Sequence, residues 1–138
     1  MYASVDDLRL RLGDMYAPLY TGLDGAPLEA EAEKDLSAAS AEIDCNIGGR
    51  YAVPVTAEAA LPLLEGWALT LAEELAWSRS GKPDPPDGVK ARAARVRDQL
   101  DRISRSELTL PGATEAGGGV ILAASDPPVF TRDDMAGY

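Results

Sequence analysis

Residues 43–54 read IDCNIGGRYAVP, and this stretch joins a helical pattern to an extended one. The apolar residues before it recur at spacings of three or four, which predicts a helix that ends at Gly48 and Gly49. Glycine can close a helix in the left-handed conformation without steric cost. Pro54 disfavours helix for the residue before it, so residues 51–55 are predicted to be extended. The stretch is therefore a helix end, a stop and a link into the next helix.

The residues of this stretch are predicted to act through geometry rather than chemistry. Tyr51 is expected to pack on the core, and Arg50 is expected to bind a carboxylate, with Asp44 as the candidate. Cys45 has no positively charged neighbour except Arg50, so it is interpreted as an ordinary buried or half-buried thiol. The residues assigned a structural role on these grounds are Gly48, Gly49, Tyr51 and Pro54.

Two helices are predicted on the N-terminal side of the stretch. Ser4 can cap the first helix, and Gly13 can end it. Residues 16–27 contain two glycines and two prolines and are predicted to form a loop, while Pro27 suits the first turn of the second helix. The apolar stripe of the second helix consists of Leu28, Ala32, Leu36, Ala39, Ile43 and Ile47.

Two more helices are predicted on the C-terminal side. Residues 63–77 are apolar nearly all round, which is typical of a helix at the centre of a bundle, and Trp67 and Trp77 are expected to pack in the core. Residues 80–88 form a breaker loop, and Asp87 can cap the fourth helix. The apolar stripe of the fourth helix consists of Val89, Ala93, Val96, Leu100 and Ile103.

The sequence thus predicts an all-α fold, a small bundle of about four helices with an extended C-terminal tail. The helical core domain is assigned to residues 1–107 and the extended C-terminal arm to residues 108–138. Residues 118–125 read GGVILAAS, a segment that could add a short strand to the edge of a partner's sheet.

Composition argues against several classes of function. The net charge is −10, which is unsuited to a protein that grips nucleic acid through a basic face. The chain has no histidine and one cysteine, so the commonest general base, the commonest metal ligand and a cysteine-based zinc site are all excluded. The carboxylates of residues 29–35 are interpreted as a solvated helix face rather than an acid–base pair. We therefore expect no enzyme activity, no catalytic residue, no cofactor and no metal.

Charge is uneven along the chain, because the fourth helix has a basic face. Intrachain pairing with the acidic first half is the favoured interpretation of this face, and contact with DNA or an acidic partner is the alternative. The single cysteine cannot form an intramolecular disulfide, which fits production in the cytoplasm. The basic residues of the face are Lys90, Arg92, Arg95, Arg97, Arg102 and Arg105.

Several segments occur in an order that resembles a known family. They read MYASVDDLRLRLG (1–13), ASAEIDCNIGGRYAVPV (39–55), LAEELAWSR (71–79), LDRISRSELTL (100–110) and VFTRDDMAGY (129–138). Together they resemble the Mu-like phage head–tail joining proteins, within the wider group of siphophage head–tail connector, or adaptor, proteins. The chain departs from the family at residues 45–47, where an aromatic residue is more usual.

The resemblance implies a virion structural protein rather than an enzyme. Such proteins form a ring, expected to be twelve-fold, that joins the portal of the filled capsid to a stopper or tail-completion protein. Genomic DNA passes through the centre without sequence-specific binding, and no membrane is involved. The expected location is the virion neck, after synthesis in the host cytoplasm. The tail residues expected to bind the portal or another partner are Val120, Ile121, Leu122, Phe130, Arg132, Met135 and Tyr138.

A ring needs contacts between successive subunits, and charge suggests where they lie. The acidic side of one subunit, chiefly the second helix, is expected to meet the basic side of the next, chiefly the fourth. The alternative is a small cytoplasmic helical interaction or regulatory module unrelated to virions, which would not form a closed ring. The inter-subunit candidates are Arg50, Arg92, Arg95, Glu31 and Asp35.

Overall fold

The computed structural model describes residues 1–21, 25, 28–79 and 85–116. The helices are α1 (Val5–Leu12), α2 (Tyr16–Leu19), α3 (Glu29–Ile47), α4 (Leu61–Arg79) and α5 (Asp87–Ser104). α3, α4 and α5 pack on one another, and α1 contacts both α3 and α4. Within the described ranges no strand is formed, so the prediction of an all-α bundle is confirmed.

The first helix begins and ends where its sequence predicts. The Ser4 hydroxyl accepts a hydrogen bond from the Asp7 N–H, while the Asp7 carboxylate accepts one from the Ser4 N–H, which makes a reciprocal capping box. The hydrogen bond from the Ser4 backbone to the Asp7 carboxylate, followed by that from the Ser4 side chain, lowers the pKa of Asp7. Gly13 has a φ of 56° and follows the last helical residue. Leu8 and Leu12 are buried on the inner side.

The prediction of a loop over residues 16–27 is wrong at its start. Gly13–Met15 forms a 3₁₀ turn, and α2 follows directly. Pro18 is compatible with this short helix because the first N–H groups of a helix have no intrahelical partner to lose. Pro27, which was predicted to lie in the first turn of α3, is outside the described residues.

The predicted stripes of α3 and α5 form the core together with α4. On α3 every stripe residue from Ala32 to Ile47 is fully buried, and Leu28 is half-buried. α4 contacts α1, α3 and α5, which confirms it as the central helix. Trp67 is buried and Trp77 is half-buried. The buried stripe of α5 consists of Val89, Ala93, Val96, Leu100 and Ile103.

The joint after α3 ends the helix as predicted, but for a different reason. Gly48 has φ −66° and ψ −20°, and neither Gly48 nor Gly49 has a positive φ, so the predicted left-handed cap is wrong. A Cβ on Gly48 would lie 2.6 Å from the carbonyl oxygen of Asp44, too close for any other residue. Tyr51 is buried, and the Val53–Pro54 peptide bond is cis. Close approach, not handedness, therefore requires glycine at position 48.

Two further predictions are wrong in detail. Asp87 does not cap α5, because the helix already begins at this residue and its N-cap is Pro86. Cys45 is exposed rather than buried. The stripe of α3 contains Ile43 and Ile47, and a residue midway between two such positions points to the other side of a helix.

Candidate interaction surfaces

Arg50 holds the chain that follows α5. Its Nη1 donates to the carbonyl oxygen of Ile103 at 3.0 Å and to that of Leu108. Its Nε lies 3.8 Å from a carboxylate oxygen of Glu115. The Ile103 carbonyl belongs to the last turn of α5 and also accepts a hydrogen bond of 3.0 Å from the Ser106 N–H. Arg50, predicted as an inter-subunit contact, thus uses its donors within its own chain, and its side chain is 18% exposed.

Tyr51 completes the attachment of this segment. Its hydroxyl accepts a hydrogen bond of 3.1 Å from the Leu110 N–H in the interior, which leaves Leu110 buried. The Ala52 N–H donates to the Thr114 carbonyl at 2.8 Å, beside an antiparallel bridge between Tyr51 and Glu115. We call this region, formed by Arg50, Tyr51 and residues 108–116, the arm clamp.

Asp44 is not the partner of Arg50, which corrects the sequence-based expectation. Asp44 accepts a hydrogen bond from the Tyr2 hydroxyl, and that hydroxyl in turn accepts one of 2.9 Å from the Val55 N–H. The Tyr2 N–H donates to the Ser40 hydroxyl at 3.0 Å. Burial, followed by the hydrogen bond to Asp44, raises the pKa of Tyr2 to about 12. The N-terminal residues are thereby fixed to α3 and to the segment after it.

A partly buried ionic cluster links α2, α3 and α4. The Tyr20 hydroxyl donates to Asp35 at 2.6 Å, and Arg79 pairs with the same carboxylate oxygen. Arg79 also lies 3.9 Å from Glu31 and 4.9 Å from the centre of the Tyr20 ring. Burial, followed by Asp35, raises the pKa of Tyr20. The interpretation of residues 29–35 as a solvated face is wrong for Asp35, which is 8% exposed.

The partner of Asp35 is 44 residues away, and sequence reasoning missed it. A signal was present, because Asp35 follows Ala32 by three positions and precedes Ala39 by four, which places a carboxylate on the apolar stripe. A charge in a stripe needs a partner when it is buried. Glu31 and Asp35, predicted to meet another subunit, both face Arg79 of their own chain.

The basic face of α5 is partly used within the chain. Arg97 contacts Glu42 of α3 at 2.8 Å and Glu74 of α4 at 2.7 Å, and its hydrogen bonds to Glu42 raise the pKa of Arg97. For Arg97 the favoured interpretation, pairing with the acidic first half, is confirmed. The pairs Arg102–Asp98 and Arg105–Asp101 lie along α5 itself.

The rest of the basic face borders a groove between α4 and α5. Arg92 and Arg11 approach one carboxylate, that of Glu73, at 3.4 Å and 3.7 Å. Arg95 has no ion pair with any residue that the structure describes. The groove also has an apolar lining, with Leu63 41% exposed. We call this region, lined by Arg11, Leu63, Gly66, Trp67, Arg92 and Arg95, the basic groove.

A second depression lies on the neighbouring side of α4. It is lined by apolar residues, among them Met1 and Leu61, and by the carboxylates of Glu58 and Glu65. Neither carboxylate pairs with a cation among residues 1–21, 25, 28–79 and 85–116. We call this region, lined by Met1, Leu61, Glu58 and Glu65, the acidic patch.

The predicted partner-binding tail lies outside the described residues. The predicted contact residues of this tail, all outside the described ranges, are Val120, Ile121, Leu122, Phe130, Arg132, Met135 and Tyr138. The boundary between core and arm at residue 107 stays a prediction, although residues 108–116 pack on the helices.

Two features are absent from the described residues, a metal-binding cluster and a membrane-spanning helix. Among them, no three or more acidic or cysteine side chains converge on a position that could hold a metal ion. No helix in the described part of the chain combines the length and apolarity needed to cross a membrane.

Comparison with known proteins identifies the chain's relatives. The sequence model of the family described as "Bacteriophage Mu, Gp36" matches residues 2–119. Gene product J of Escherichia phage Mu is 30% identical over 142 residues, an alignment that covers 95% of this chain and 94% of that protein. The chain therefore belongs to the Bacteriophage Mu Gp36 family of Mu-like phage proteins.

Proposed function

We propose that this protein is a virion structural protein, an adaptor whose copies form a ring between the portal of the filled capsid and the stopper or tail. Membership of a Mu-like phage family supports a role in the particle. The observation that carries the adaptor role is the arm clamp. It holds residues 108–116 on the helical core, so that an arm directed at a second protein would start from a defined place.

The charges of the chain fit a passage for DNA. A net charge of −10 repels the phosphate backbone, and weak repulsion lets DNA slide rather than bind. In this proposal genomic DNA crosses the lumen of a ring, expected to be twelve-fold, without sequence-specific contacts. The proposal assigns the protein no catalytic step, no cofactor and no metal.

Removing the outer part of the arm, residues 117–138, tests the adaptor role. A chain that ends after Ala116 keeps every residue of the arm clamp and should fold as the full chain does. We expect phage particles made with it to accumulate as DNA-filled heads without tails, counted by electron microscopy. The far-ultraviolet circular dichroism and thermal unfolding of the shortened protein serve as the folding control. Normal numbers of joined particles would overturn the role of the arm.

A cytoplasmic interaction module unrelated to virions is the alternative, and membership of a phage family does not favour it. The two functions are separated by composition of the particle. Mass spectrometry of purified virions should find this protein in a fixed ratio to the portal protein. Its absence from virions, with tails joined normally, would favour the alternative.

A further inference from the structure

The basic groove has more positive charge than the described residues of the chain neutralise. Arg11 and Arg92 share the carboxylate of Glu73, and Arg95 pairs with no described carboxylate. The three arginines carry three positive charges, and one carboxylate, that of Glu73, pairs with two of them. Two positive charges are therefore not neutralised by the described residues, in a chain whose net charge is −10. The exposed side chain of Leu63 lies in the same groove. A partner that fits it must bring carboxylates and apolar surface together.

Gly66 is a second and independent sign of a partner at this groove. It lies within α4, where glycine is less favourable than alanine. A Cβ built on Gly66 meets no atom within 4 Å, so packing inside the subunit does not require glycine. Gly66 lines the basic groove, and its bare backbone permits the close approach of another chain.

The acidic patch has the properties that the basic groove requires. Glu58 and Glu65 have no cationic partner among the described residues, and they flank apolar side chains. Pro62 borders both the acidic patch and the basic groove, so the two regions adjoin each other at the start of α4. Adjacent patches of opposite charge are self-complementary under a two-fold rotation, because each patch then faces its opposite on the other copy.

We propose that the basic groove is the docking site for a second copy of this chain, related by a two-fold axis near Pro62, with Glu58 and Glu65 of each copy facing Arg92 and Arg95 of the other. The backbone of Gly66, one helical turn from Pro62, lies within this contact. A two-fold contact closes at two copies, whereas a ring needs head-to-tail contacts. The pair is therefore a form of the free protein, and the experiments that test it do not test the proposed ring.

Substitution of Gly66 tests the contact, because it should raise the stability of the subunit and weaken the pairing of subunits. Gly66→Ala should raise the thermal stability of the subunit, because alanine favours the helix and its Cβ has room. The same methyl group should weaken pairing by about tenfold or more, measured by sedimentation equilibrium of the full chain. Gly49→Ala is the matched control, since a Cβ there also meets no atom within 4 Å and Gly49 lies outside the groove. It should leave pairing unchanged.

Charge exchange tests which surfaces meet. Arg95→Glu alone and Glu65→Arg alone should each be monomeric, because both place like charges opposite each other. An equal mixture of the two variants should sediment as two chains, because each variant supplies the charge that the other now lacks. Wild-type protein that stays monomeric would overturn the proposal, as would an assembly of more than two chains or unchanged pairing of Gly66→Ala. Pairing of either charge variant by itself as strongly as wild type would also overturn it.

Discussion

The arm clamp and the basic groove both centre on arginines, yet the two regions use them differently. Arg50 donates to backbone carbonyls at the end of α5 and beyond it, so its charge is satisfied within the subunit. Arg95 lies beside an apolar groove and meets no carboxylate of the described chain. What surrounds an arginine, rather than its presence, decides whether it stabilises the subunit or remains available to a partner. Changes in the arm clamp should therefore reduce stability, and changes in the basic groove should reduce association.

The largest loss of stability is expected from substitution of Tyr51, which is buried within the arm clamp. Tyr51→Ala removes a fully buried ring and should lower the free energy of unfolding by about 3–5 kcal/mol, measured by urea denaturation. Tyr51→Phe keeps the ring but leaves the Leu110 N–H without its acceptor, at a cost of about 1–3 kcal/mol. If Tyr51→Ala costs less than the phenylalanine variant, the clamp does not depend on packing.

Two matched substitutions test whether the arm clamp and the basic groove use their arginines differently. Arg50→Ala should lower the free energy of unfolding by about 2–3 kcal/mol, because the Ile103 and Leu108 carbonyls lose a charged donor. Arg95→Ala should change it by no more than about 0.5 kcal/mol, as expected for a surface residue without an intrachain partner. Both values come from urea denaturation of the full chain. Equal losses for the two variants would remove the distinction between the two regions.

The contrast also marks the limit of what the sequence could predict. Spacing and capping residues located the long helices, the buried stripes and the first helix boundary, because those signals are local. The partners of Arg50 lie 53 and 58 residues along the chain, and no local pattern encodes such a contact. The pairing of Asp35 with Arg79 was missed for the same reason. The basic groove arises only when α4 and α5 pack, although the charge on α5 was visible from the start.

A smaller effect on stability is expected at Tyr2, whose hydroxyl donates to Asp44. Tyr2→Phe should cost about 1 kcal/mol at neutral pH, because it removes the hydrogen bond to Asp44 and the acceptor of the Val55 N–H. If Arg50 then moved to Asp44, the arm clamp would loosen and hydrogen exchange at Leu110 would accelerate. We expect that exchange to stay unchanged, as the clamp is independent of Tyr2.

The same tyrosine gives a pH dependence with a defined sign. Its pKa rises from 10.0 to about 12 on folding, so its neutral form is favoured by the folded state. This contribution is complete below pH 10 and is lost as the pH rises towards 12. Urea denaturation at several alkaline pH values should show a steeper loss of stability for wild type than for Tyr2→Phe. Identical slopes would contradict the assignment.

The smallest effect on stability is expected at Arg97. Its surroundings are intermediate between those of Arg50 and those of Arg95, because it has intrachain partners but is partly exposed. It pairs with Glu42 and Glu74, but its side chain is 40% exposed. Glu42→Gln should cost about 0.5 kcal/mol at low salt, and the difference from wild type should shrink at about 1 M salt, where surface charges are screened. A loss that persists in high salt would show that Arg97 behaves like Arg50 rather than like a surface residue.

The exposed position of Cys45 allows the copies of this chain in a complex to be counted. The chain has one thiol, and it lies at the surface of α3 away from the buried stripe. A maleimide dye would therefore attach at one place on each subunit, with no competing site. The number of photobleaching steps recorded from a single labelled complex would then equal the number of copies of this chain that it contains, without any image of the complex.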